Sequence, residues 1–253
     1  MKFALVDNQR IEAEKGLKGV CPICHQPVIA KCGKYKINHW AHKSLTNCDT
    51  WWENETDWHR QWKNLFPENW QESVMVDEKT GEKHIADIRT DGGMIIEFQH
   101  SNISETEKIS REQFYKTMVW IVDGNRRKND FKRFKKGFEY GDITPINRNS
   151  LYIVNFGNDY FPKEWLNSSV PVLFDFKNVP LSKGETAYEN DLRNSLWAIL
   201  PIKGGDINVL IRTNRDIIIG MIKNGGFYYK YHEIINIVKR FLYERNIRRY
   251  YRW

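Results

Sequence analysis

Asp87, followed ten residues later by Glu97-Phe98-Gln99, is the part of this chain best equipped for chemistry. The two acids fall on stretches with strand character, Lys83–Thr90 and Gly93–Gln99, separated by the turn-forming Asp91-Gly92-Gly93. Strand side chains alternate, so Glu97 and Gln99 share one face and Ile96 and Phe98 the other. If the strands pair as a hairpin, Asp87 lies beside Glu97 and Gln99. Two carboxylates and an amide oxygen then make a hard-cation site suited to Mg2+ or Mn2+. Such a site can position and polarise a phosphodiester. The competing reading is a solvated sheet face whose acids point at water.

The segment Glu53–Phe66 reads as a helix closed at Pro67. On it Glu55, His59 and Lys63 recur at four-residue intervals and line one face, while Trp58, Trp62 and Leu65 take the core side. The polar stripe is either surface ion pairing or company for the metal. In the second case Glu55 is an added ligand or water holder, with Glu53 as its less favoured stand-in, and His59 and Lys63 contact phosphate or tune the site.

A second constellation precedes it. Cys21-Pro22-Ile23-Cys24 forms a two-thiolate knuckle, followed by His39-Trp40-Ala41-His42 and Cys48. Zinc in a structural site takes four such ligands. Cys21, Cys24, His42 and Cys48 are the expected set, with His39 the alternative fourth ligand and Cys32 a small buried residue. Such an ion staples a module with too little core to fold unaided.

At 253 residues the chain has the length for one large domain or two ordinary ones. Its formal charge of +7 is clustered: Arg126, Arg127, Lys128, Lys132, Arg133, Lys135 and Lys136 in one stretch, and Arg240, Arg245, Arg248, Arg249 and Arg252 among aromatics in another. Clustered cations interleaved with aromatic rings suit a nucleic acid, though either cluster also reads as a solvated helix face. Met1–Arg10 lacks the apolar core of a signal peptide, and no run approaches the roughly 18 apolar residues of a membrane span. A cytoplasmic protein with reduced, metal-binding cysteines is expected.

Three strands (Asn69–Asp77, Lys83–Thr90 and Gly93–Gln99) follow the first helix. A second helix begins at Ser104, with Glu107 three residues on as a capping box, and a buried strand spans Val119–Val122. The order helix, three strands, helix, strand makes a mixed sheet with helices packed on it. Later, Leu151–Val154 and Val172–Phe176 resemble strands, and Tyr188–Leu200 and Tyr231–Arg249 resemble helices.

Taken in order, Cys21–Cys24, His39–His42, the Glu55, His59, Lys63 stripe, Ala86-Asp87-Ile88, Glu97–Ser101, and Arg111 with Tyr115 resemble the competence protein CoiA-like family, a branch of the PD-(D/E)XK nuclease superfamily. The resemblance covers about the first half of the chain. It implies an α/β fold with three parts: a zinc-ribbon-like module over 1–50, a restriction-endonuclease-like αβββαβ core over 51–140, and a mixed α+β extension over 141–253. It also implies Asp87 and Glu97 as magnesium ligands and Gln99 where the superfamily usually has lysine. The expected activity is metal-dependent DNA hydrolysis, with Glu55, His59 and Lys63 assisting. Arg111, Tyr115, Arg126, Arg127, Lys128, Arg248 and Arg249 are the expected DNA contacts, and the extension is the expected place for protein partners. The competing expectation is a zinc-containing nucleic-acid-binding protein without turnover.

Overall fold

The structure, a computed structural model, describes all residues except 35, 45–47, 54, 147–149, 181–182, 205–206 and 251–253, and leaves aside the side chains of 203–204 and 245–250. Arg248 and Arg249, expected to contact DNA, therefore lie outside the described side chains.

The amino-terminal segment makes an antiparallel sheet of β1 (Phe3–Val6), β2 (Gln9–Glu12), β3 (Lys18–Val20), β4 (Pro27–Lys31) and β5 (His39–His42), in the order β2-β1-β3-β4-β5. Asp7 and Asn8 both take positive φ (50° and 63°), the two-residue turn that matches strand twist, at residue types that tolerate it. The buried core beneath is small: Met1, Ala4, Ala13, Cys21, Ile23, Val28 and Trp40.

Next come α1 (Asp57–Lys63), β6 (Gln71–Val76), β7 (Lys83–Arg89), β8 (Ile95–Gln99), α2 (Glu105–Tyr115) and β9 (Met118–Asp123), in the order of elements read from the sequence. The first helix is shorter than the expected Glu53–Phe66. Thr56 caps it, accepting from the His59 amide, while the His59 ring accepts from the Thr56 amide, so Glu53 and Glu55 lie upstream of the cap. Because the helix ends at Lys63, Leu65 leaves the core face and is exposed, and Phe66 is buried instead. Ser104 caps α2 by accepting from the Glu107 amide.

The remaining elements are α3 (Asp130–Glu139), β10 (Ile143–Pro145), β11 (Leu151–Asn155), α4 (Gly157–Tyr160), α5 (Lys163–Leu166), β12 (Val172–Asp175), α6 (Ala187–Asn194), β13 (Leu196–Gly204), β14 (Ile207–Thr213), α7 (Arg215–Lys223) and α8 (Phe227–Tyr250). They build no sheet of their own. β12 pairs in parallel with β9, giving a nine-stranded sheet in the order β10-β11-β14-β13-β12-β9-β8-β7-β6. The expected helix over Tyr188–Leu200 is corrected: a capping box at Thr186 and Glu189 starts α6, which stops at Asn194, and the continuous apolar run from Leu196 enters the sheet as β13. β9 is buried along its whole length, pairs in parallel with β8 and β12, and sends alternate side chains into cores on opposite faces. One core takes Tyr115, Phe134 and Trp165; the other takes Trp58, Trp62, Ile218 and Ile222. Asp175, on β12, accepts from the indoles of Trp58 and Trp62 at 3.0 and 2.9 Å and pairs with Arg215, so the carboxy-terminal half holds α1 in place. Among the described residues no helix is long and apolar enough to cross a membrane.

Candidate metal centre and active-site cavity

The knuckle at Cys21–Cys24 is shaped by its own backbone. The Ile23 amide points at Cys21 Sγ (3.4 Å), the Cys21 amide donates to the Gln26 carbonyl (3.0 Å), and His25 closes the turn at φ 56°. β5 carries His42 to the knuckle, and the loop beyond it returns Cys48. Cys24 Sγ and His42 Nε2 are 3.3 Å apart, Cys21 Sγ and Cys48 Sγ 3.5 Å, and Cys48 Sγ and His42 Nε2 3.6 Å. A tetrahedral zinc with thiolate bonds near 2.3 Å has ligand–ligand edges of roughly 3.5–3.8 Å, so the four donors fit zinc. This is the single group of three or more such donors within 4.8 Å of one another found among the described residues. His42 and Cys48 both belong to it. His39, the alternative, turns its Nδ1 to the Ile37 carbonyl (2.9 Å), and Cys32 is partly buried against the Ala13 carbonyl. Burial first, and then the neighbouring thiol, pushes the Cys48 thiol up; a bound cation supplies the charge the cluster lacks.

The second site arises where the β7–β8 hairpin opens. The turn is closed by Gly93 at φ 81° and pinned by Trp70 Nε1 on Asp91 (2.7 Å). From it the strands pair at Arg89 with Ile95 and Ile88 with Ile96, and then separate. Backbone groups freed there need partners, and side chains supply them. The Asp87 amide donates to Glu97 Oε1 (3.1 Å), and the Phe98 amide to Asp87 Oδ2 (2.9 Å). The Phe98 carbonyl accepts from His59 Nε2 (2.9 Å), and the His100 amide donates to Glu53 (3.1 Å). The two carboxylates are thereby cross-linked at the mouth of a cavity of about 60 Å³, enough for a few water-sized ligands.

Helices close the cavity from two sides. Lys63 Nζ sits 2.9 Å from Asp87, 3.1 Å from Glu72 and 3.7 Å from Glu55. Arg111, from α2, reaches Glu97 Oε2 (3.0 Å), Glu107 (3.1 Å) and the Trp51 carbonyl (2.7 Å). Burial opposes charge on Lys63, but Asp87 and Glu72 outweigh it and hold the ammonium well above its ordinary value. Glu72 answers in kind: burial pushes it up, but Lys63, the amino terminus and the Lys2 and Phe3 amides together outweigh that, and it falls to about 2. Glu97 goes the other way. Burial, and then Asp87, raise it to about 8 against the pull of Arg111, because that guanidinium is shared. Two acids so close that one holds a proton form a place where a cation is favoured.

Glu55, His59, Lys63, Asp87 and Glu97 all line this cavity, as the sequence reading placed them together. Glu55, however, spends both oxygens on Arg60 (2.9 Å each). The stand-in, Glu53, is the hub. It takes His59 Nε2 at 2.7 Å, Gln99 Nε2 at 2.9 Å and the His100 amide, and burial is overcome by His59 to bring it to about 2. Gln99 does not line the cavity. Its amide donates to Glu53 and Ser101, and its Oε1 is buried without a partner. The hard carboxylate oxygens that do line the cavity, Asp87 and Glu97 among them, suit a small oxygen-seeking cation better than a soft one.

Glu72 was missed. It lies on β6 at φ 46° and accepts from the Lys2 and Phe3 amides at 2.7 and 3.1 Å, tying the amino-terminal sheet to the cavity floor. Its signal was an acid sharing a strand face with Val74. The structure places several expected DNA contacts in internal ion pairs or away from solvent. Arg111 and Tyr115 are buried. Arg126 has a side chain 1% exposed and pairs with Glu164 at 2.8 Å. Arg127 pairs with the same acid (2.9 Å), and of the three basic residues in that run Lys128 is exposed.

The fold and the two sites describe a mixed α/β protein carrying a Cys3His cluster beside a buried acid–base cavity. A family model described as Competence protein CoiA, N-terminal domain, matches residues 5–50. The match takes in all four cluster residues and supports a CoiA-like assignment; it stops short of Asp87 and Glu97. No curated protein and no solved structure matches the chain.

Proposed function

We propose that the chain is a divalent-metal-dependent DNA nuclease of the PD-(D/E)XK type, acting in the cytoplasm in DNA processing connected with competence, with a structural zinc in the Cys21, Cys24, His42, Cys48 cluster. One observation carries the reading: Asp87 and Glu97 are cross-linked at the split of β7 and β8, with Lys63 and Arg111 bound to them in one cavity. Asp87 and Glu97 are the residues that would hold magnesium or manganese, with Glu55 at hand. A bound ion supplies polarisation of the phosphate and an acidified water. The chain's own groups do the rest. Lys63, fully charged, places positive charge against the phosphate oxygens. His59, with Nδ1 accepting from Thr56, presents Nε2–H and fixes Glu53. Gln99 orients Glu53 and stands back from the reacting atoms. DNA is the partner in this reading, and the carboxy-terminal region is where protein partners would dock.

The test is cleavage of labelled single-stranded, duplex and branched DNA with Mg2+, Mn2+ or EDTA. Wild type should cut only with metal and Asp87→Ala should not cut. A variant that cuts like wild type overturns the assignment. A second reading, a nucleic-acid-binding protein without turnover, is favoured by one feature: Lys63 and Arg111 already neutralise the carboxylates, and Gln99 offers no charge. Binding with no cleavage of any substrate would select it.

A further inference from the structure

The zinc-bearing sheet presents an unusual charge pattern. From Pro27 to Lys43 the sequence carries Lys31, Lys34, Lys36 and Lys43 and not one Asp or Glu. All four lysines are exposed, and none has an ion-pair partner among the described residues. The basic stretch Arg126–Lys136, one of the two clusters read as nucleic-acid surfaces, behaves differently. There Arg126 and Arg127 are spent on Glu164, Lys135 on Glu189 and Glu139, and Arg133 on the carbonyls of Asn158 and Asp159.

The lysine-bearing face borders the cavity through Trp52, an indole 40% exposed to solvent. Trp52 lines the Asp87–Glu97 cavity and also the walls of two wider depressions beside it. One, of about 310 Å³, runs along Lys36 and His39; the other, of about 270 Å³, runs along His42 and Ser44, which bracket Lys43. The three hollows share Trp52 and Met1, so they form one groove that leads off the zinc sheet and ends at the carboxylates. Lys36 lines the first depression together with Glu55 and Asp57, and Asp49 lines the second, while Lys43 stands exposed on the sheet beside the second without lining it. An exposed indole with unpaired ammonium groups nearby is the chemistry of a stacked base with its phosphates. Duplex DNA keeps its base faces covered, whereas a single strand offers them.

We propose that this groove seats single-stranded DNA, with a base stacked on Trp52 and its neighbouring phosphates at Lys36 and Lys43, and that the strand reaches the cavity across the zinc-bearing sheet. The proposal rests on the nuclease reading for its direction of travel, while the binding itself does not need turnover.

The experiment is fluorescence anisotropy of fluorescein-labelled oligo-dT with zinc-loaded full-length protein in EDTA-free, magnesium-free buffer, so that binding is read apart from cleavage. Trp52→Ala should weaken binding roughly five- to a hundredfold, and Trp52→Phe should restore most of it. Lys36→Gln with Lys43→Gln should lower the slope of log affinity on log salt by about 1.4, while Lys163→Gln with Lys223→Gln, exposed lysines outside the sheet, should leave it unchanged. Retained zinc content shows that each variant is folded at the sheet tested. Wild-type affinity in Trp52→Ala, or equal losses in both lysine pairs, overturns the groove. So does blunt duplex DNA binding as tightly as oligo-dT with the same dependence on Trp52. Strong Trp52-dependent binding without any cleavage overturns the nuclease reading alone.

Discussion

In the amino-terminal sheet, two short segments bring three thiols and an imidazole together. In the larger sheet, six carboxylates line one cavity with Lys63 and Arg111 already among them. The first arrangement could hold a metal that settles its charge and braces a core of seven buried residues in which Trp40 is the one large side chain. The second already holds cations of its own, so under the proposed function a metal there would join them and be exchangeable. Under the proposed function, that difference would separate a structural ion from an exchangeable one, and perturbing either side should have distinct effects.

The largest effect is expected at the cluster. Replacing Cys24 or His42 by Ser or Ala should abolish zinc retention and open residues 1–50 to protease, because binding energy on the order of 10–16 kcal/mol for such sites is folding energy. Metal analysis with limited proteolysis checks it. The nine-stranded sheet should survive, because its cores are built from other residues.

Lys63→Ala comes next. It leaves the buried Glu72 and the half-buried Asp87 without the ammonium they share, a cost of about 3–5 kcal/mol in denaturant unfolding. Lys63→Ala unfolding like wild type would mean that the cavity is not balanced from within.

Protons sharpen the contrast further. The Glu97 carboxyl, with an ordinary value of 4.5, titrates near 8 when folded. Between those values the folded state holds the extra proton, so stability falls as pH rises through that window. A divalent cation replaces the proton, so Mg2+ should raise the thermal midpoint more at about pH 8.5 than at about pH 6, and Glu97→Gln should remove that dependence.

The smallest effect is expected at Gln99. Because it orients Glu53 from outside the cavity, Gln99→Ala should slow cleavage by less than about tenfold, or ~1.4 kcal/mol. A complete loss would place it at the reacting atoms.

These contrasts also mark what the sequence made legible. The zinc donors are legible because knuckle spacing is local: Cys21 and Cys24 can hardly avoid one another. Asp87 and Glu97 are legible because one tight turn sets their register. Glu53 and Glu72 are harder, since their roles depend on the shortened α1 and on the Lys2 and Phe3 amides some seventy residues away from Glu72. Arg126 misleads for the same reason: its partner Glu164 is remote in sequence. Leu196–Leu200 reads as the tail of a helix until β14 and β12 claim both its edges.

The proposed nuclease chemistry needs the Asp87–Glu97 cavity to take a hard, exchangeable cation besides the ion proposed for the Cys3His cluster. The most direct measurement is Mn2+ binding to zinc-loaded protein, followed by electron paramagnetic resonance. Wild type should bind Mn2+ with zinc content unchanged, and Asp87→Ala and Glu97→Gln should lose that binding while keeping their zinc. Equal Mn2+ binding by the variants, or none by wild type, would contradict the account.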